Sequence, residues 1–129
     1  MAEFRPGRNI AVKLPERSYA ATLAFYRDTL GLPVIEENAD GAILAFGEMR
    51  LNLDRVPHQS QTDIWLEVCT DDTAAARAHL AAKGVTMCDE VEPLPDGFDG
   101  FWIAAPSGTI HLIDTDPTQR VDDPASDGG

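Results

Sequence analysis

With 129 residues, of which 43% are hydrophobic, the chain can bury one proper core but cannot supply two independent domains. Its 22 acidic against 10 basic side chains leave a net charge of −12, which argues against nucleic acid as a partner, since that binding neutralises phosphates with Lys and Arg. No run approaches the roughly 18 consecutive apolar residues of a membrane span, and residues 1–8 lack the apolar stretch of a signal peptide, so no membrane partner and a cytoplasmic location are expected.

In chain order, residues 9–14 alternate as a half-buried strand does, with Ile10, Val12 and Leu14 on one face and Pro15 ending the run. A helix is expected over about 18–30, where Tyr19, Leu23, Tyr26 and Leu30 recur every three or four residues and Gly31 closes the stretch. Three short strands follow at 32–37, 41–46 and 49–54, separated by Asn38-Ala39-Asp40 and Gly47-Glu48. Residues 55–62, with Pro57 and no periodicity, read as a link. The same order then repeats. A strand at 63–68 carries Ile64, Leu66 and Val68 on one face, and Asp71 and Asp72 are N-cap candidates for a helix at 73–83 closed by Gly84. Strands are expected at about 86–92, 100–104 and 109–113, and 117–129 reads as a flexible acidic tail. Cys69 and Cys88 are too few for a disulfide framework and are not spaced as a metal clip, so both read as small core hydrophobes.

The fold class is therefore α+β. Residues 1–116 form a single domain of two βαβββ modules, about 8–54 and 63–114, and the two curl into a mixed, cup-like sheet with helices outside. The cup is the natural ligand site. Period-two logic sorts its lining. If the apolar set of each strand lies under a helix, then Asn9, Ala11, Lys13, Arg50, Asn52 and Asp54 face inward from the first module. Asp63, Trp65, Glu67, Thr109, His111 and Ile113 face inward from the second, with Ile110 and Leu112 outward. Trp102 or Phe101 adds aromatic area, depending on register.

Three segments carry a family resemblance. Phe25-Tyr26-Arg27-Asp28-Thr29-Leu30-Gly31 resembles a helix end of the form Phe-Tyr-x-x-x-Leu-Gly. Leu66-Glu67-Val68 with Asp71-Asp72 resembles the start of a second module, and Phe101-Trp102 through Pro106-Ser107-Gly108 resembles an aromatic strand and its turn. Over about residues 8–116 the chain is similar to the glyoxalase, bleomycin-resistance and dioxygenase (vicinal oxygen chelate) superfamily. Enzymes of that superfamily hold a divalent metal with four side chains, one from the first and last strand of each module. Carried over, those places are Asn9, Asn52, Asp63 and, with a one-residue deletion after Gly108, His111. Two amides, one carboxylate and one imidazole make a poor site for first-row metals.

The resemblance thus implies a homodimer that binds a small molecule, antibiotic or metabolite, with no catalytic metal. The ligand-binding set is Asn9, Arg50, Asn52, Asp63, Trp65, Glu67, Trp102 and His111. Asp63 and Glu67 around Trp65 suit a cationic or aromatic ligand, although Trp65 as core and Asp63 as a paired charge explain the same residues. The alternative is a divalent-metal-dependent lyase, isomerase or dioxygenase, with metal held by Asp63 and His111. A metal-free acid–base pair of the same two residues is its variant. His58, in the link, and His79, on the second helix, serve neither reading.

Overall fold

The computed structural model describes residues 2–115, so the expected tail at 117–129 lies outside the described residues. Eight strands form: β1 (Phe4–Leu14), β2 (Val34–Asn38), β3 (Gly41–Phe46), β4 (Met49–Arg55), β5 (Asp63–Thr70), β6 (Thr86–Met87), β7 (Gly100–Ala104) and β8 (Ile110–Asp114). Helix α1 (Glu16–Ala24) follows β1 and α2 (Thr73–Ala82) follows β5, so the strand–helix–triple-strand order occurs twice, as the residue pattern requires. Among the described residues no helix is long and apolar enough to cross a membrane. The chain divides into two compact units, one of Asn9–Trp65 and one combining the residues up to Arg8 with those from Leu66 onward. β1 and β5 each contribute to both.

In the Asn9–Trp65 unit the strands lie in the order β2-β3-β4-β1. β1 and β4 are parallel, with Ile10 opposite Leu51 and Val12 opposite Leu53, and the other two pairs are antiparallel. The apolar set of each strand meets one helix face: Tyr19 and Leu23 close over Val12, Leu14, Ala42, Leu44, Leu51 and Leu53. Helix α1 starts earlier than expected because Pro15, with its fixed φ, caps it at Glu16. It ends in a π-helical turn, Phe25–Thr29, before Gly31 takes a positive φ of 72°.

In the other unit the order is β5-β8-β7-β6, with β5 and β8 parallel and the rest antiparallel. Ala76 of α2 packs on Phe101, Ile103 and Ile113, with Val68, Leu80, Val85 and Met87 around them. The Asp72 carboxylate accepts the Ala75 N–H at 3.0 Å and caps α2. Two expectations are corrected here. The strand at 86–92 stops at Met87 and gives way to a 3₁₀ turn, Asp89–Val91, because the Asp89 carboxylate accepts the Trp102 N–H at 3.2 Å in place of a ladder partner. And β1 begins at Phe4 rather than Asn9, running through Pro6 and Gly7. Gly7 permits this: a Cβ there would collide with the Glu67 side chain. The strand's start is held by the Glu3 N–H donating to Asp71 at 2.8 Å and by Phe4 against the His79 ring.

Candidate functional site

In the Asn9–Trp65 unit the polar groups collect on the face that α1 leaves bare. Val12, Leu51 and Leu53 lie under the helix, so Asn9, Lys13, Arg50, Asn52 and Asp54 take the other side, as alternation predicts. Asn52 Nδ2 donates to Asn9 Oδ1 at 3.1 Å and to the carbonyl of Arg50 at 3.2 Å. Lys13 is only 4% exposed; its ammonium meets Asp54 at 2.8 Å and stands 4.4 Å from the centre of the Trp65 ring. A charge at that depth demands such partners. Sequence reasoning placed Lys13 and Asp54 on this face yet missed them as a pair, although opposite charges on neighbouring strands were the signal.

Along β5 the side chains sort as expected, but their burial inverts. Trp65, Glu67 and Cys69 are buried, whereas Ile64 and Leu66 on the helix-side set are exposed. Only Val68 reaches the core beneath α2, since the helix begins after Thr70 and does not extend back over the start of the strand. Asp63, at the exposed beginning of β5, accepts the Trp65 indole N–H at 2.9 Å and the Ile64 N–H at 3.1 Å. Trp65 is thus core, with its ring faced by Lys13 and its N–H satisfied.

β8 requires a correction. Ile113 lies in the core with Ala76, so it points to the helix, and His111, two residues earlier, shares that side. Leu112 and Asp114 take the opposite face. The one-residue deletion that turned His111 inward does not occur, and His111 Nδ1 lies 3.0 Å from the carbonyl of Thr109 instead. On β7, Phe101 and Ile103 are in the core, so Trp102 is the aromatic residue of the other face; its indole N–H donates to the Glu92 carbonyl at 2.9 Å.

The internal registers sharpen the comparison of modules. Val12 pairs with Leu53, and Val68 pairs with Ile113. Counted from these anchors, the positions matching Asn9 and Asn52 are Trp65 and Leu112. At these places the first module offers two amides, one donating to the other, and the second offers an indole and a leucine. Those residues do not fit a divalent ion.

A different group offers ligand atoms. Glu67, Cys69 and Asp114, all buried, bring theirs within 4.8 Å of one another, and the Cys69 thiol donates to Asp114 at 3.3 Å. Sequence reasoning missed the trio because the last strand was ended at Ile113 and Cys69 was read as core. A recess of about 120 Å³ also lies over β2, β3 and β4, lined by Glu36, Asp40, Asn52 and Asp54 among others. Burial raises the Cys88 thiol, helped by Glu90 and Asp89, which keeps it protonated and unreactive near neutrality.

Two sets of four strands, each with a parallel first–last strand pair and one packed helix, define a two-module α+β protein of the βαβββ type. The glyoxalase-like domain family matches residues 10–113, and the chain belongs to that family, within the vicinal oxygen chelate superfamily. No curated protein matches it. Among solved structures it is similar to the Mn(II)-bound glyoxalase from Novosphingobium aromaticivorans, with 23% identity and a TM-score of 0.67 over 90% of this chain and 40% of that one. It is likewise similar to a methylmalonyl-CoA epimerase in complex with methylmalonyl-CoA (19%, 0.63, 92% and 99%). A homoprotocatechuate 2,3-dioxygenase from Brevibacterium fuscum gives 16% and 0.62 over 88% and 33%. The chain therefore spans well under half of the glyoxalase and of the dioxygenase, and at these identities the likeness is one of fold.

Proposed function

We propose that the chain is a small-molecule-binding member of the glyoxalase-like family that works without a metal at the positions where the superfamily resemblance places one. The observation that carries this reading is the Asn52–Asn9 hydrogen bond of 3.1 Å: at two of the four places the donor set is a pair of neutral amides, with the Asn9 oxygen already accepting from Asn52. Asp63 is committed to the Trp65 indole, and His111 lies on the helix side of its sheet. The ligand is held by polar contacts on the helix-free face, at Arg50, Asn9 and Asn52, rather than by stacking on Trp65, whose ring Lys13 already faces. Sequestration of an antibiotic or metabolite is the role such a site suits.

The second reading, a metal-dependent lyase, isomerase or dioxygenase, is favoured by the buried Glu67–Cys69–Asp114 trio. Thermal unfolding of chelator-treated protein with added Mn(II), Zn(II) or Ni(II) separates the two, because an ion bound only by the folded chain raises its Tm in proportion to ln(1 + [L]/Kd). An unchanged Tm is expected. A saturable rise with any of the three would support the metal enzyme.

A further inference from the structure

Arg50 is a described arginine whose guanidinium has no acid beside it. Its Nε, like that of Arg8, is buried with no hydrogen-bond acceptor, but Arg8 has a partner elsewhere, Arg27 has Asp28, Arg55 has Glu16 and Arg77 has Asp89, and Arg5 and Arg17 are also engaged. In a chain with 22 acids against 10 bases an unmatched, half-buried arginine is unexpected, because desolvating a donor without replacing its bond costs free energy. The acid nearest in register on its face, Asp54, is taken by Lys13. The neighbours leave room: Arg50 stands opposite Asn9 on β1 and Ala45 on β3, and Ala45 presents only a methyl group.

We propose that Arg50 receives a carboxylate of the ligand, its two terminal nitrogens forming a two-pronged fork onto the two carboxylate oxygens while the buried Nε holds the guanidinium plane against the sheet, with the Asn9–Asn52 amide pair alongside. The planar fork of a guanidinium matches a carboxylate in geometry as well as charge. An isolated guanidinium on a molecule of net −12 suits a singly charged carboxylate better than a doubly charged phosphate, which the surrounding field opposes. The assignment rests on the proposed small-molecule site and names the class of compound it takes.

The test follows the arginine Nε–H resonances of the ¹⁵N-labelled full chain at neutral pH and constant ionic strength, titrated with sodium acetate, sodium phosphate or sodium chloride. The Arg50 signal is identified by its loss in Arg50→Lys. The expected result is a saturable shift of that signal with acetate and none with chloride. Half-saturation in Arg50→Lys, read from the Asn52 side-chain amide, should move to roughly 10-fold higher acetate, because lysine keeps the charge and loses the fork. Saturation by phosphate but not acetate, no saturation by either, or an unchanged acetate response in Arg50→Lys would overturn the proposal. Metal content scored on the same samples keeps the two readings apart: a metal-bearing chain whose Arg50 still answers to acetate would sink the metal-free reading alone.

Discussion

Asn9 and Asn52 mark the site most clearly at the scale of single residues, and Lys13 explains why its chemistry differs from the one first read. The Lys13 ammonium, almost fully buried, depends on Asp54 at 2.8 Å and on the Trp65 ring. Asp54→Ala removes one partner of that charge and should destabilise the fold by about 1–3 kcal/mol, less than for a fully buried pair because the Asp54 side chain is partly exposed. The double variant Lys13→Met, Asp54→Leu should recover most of that loss, measured as urea midpoints at constant m. An Asp54→Ala chain as stable as the parent would show that the pair does not hold Lys13 in place. Alternation in the sequence put Asn9, Arg50, Asn52 and Trp65 on the right faces. It failed at His111 because the turn before β8 offered two registers one residue apart, and a one-residue slip turns every side chain over. Only the packing of Ile113 on Ala76 decides between them.

The elements themselves were legible wherever a clear apolar period met a strong stop. β3, β4, β5 and β7 fall within a residue or two of expectation, and α2 starts where Asp72 caps it. Replacing that cap tests the local account: Asp72→Ala removes the acceptor for the Ala75 N–H and should cost about 1 kcal/mol, whereas Asp72→Ser should restore most of it. Equal stability of all three chains would mean that tertiary packing of Ala76 alone fixes the start of α2. What the sequence hid were elements made by long-range contacts. β1 extends back to Phe4 through Pro6-Gly7, a dipeptide that reads as a break, because Gly7 makes room for the Glu67 side chain lying across it. β6 is cut short because Asp89 takes up the Trp102 N–H. Neither tie is visible in local periodicity.

At the scale of the whole molecule the repeat carried the fold. Two copies of strand–helix–triple-strand, each with a parallel first–last pair, are what the glyoxalase-like family match over residues 10–113 and the structural neighbours share. We further propose a homodimer. In the Asn9–Trp65 unit every residue of the edge strand β2 is exposed, and Phe25, Leu30, Ile35 and Phe46 are large apolar residues left open; contiguous surfaces of that kind mark interfaces. Light scattering at micromolar concentration should give about twice the mass of one chain, and a mass of 14.0 kDa would refute the dimer. The reading as a whole turns on the metal. Its most direct test is the metal content of protein purified without an affinity tag and dialysed against metal-free buffer, determined by inductively coupled plasma mass spectrometry. The account predicts Mn, Fe, Ni and Zn each far below one ion per chain, and one tightly held ion per chain would contradict it.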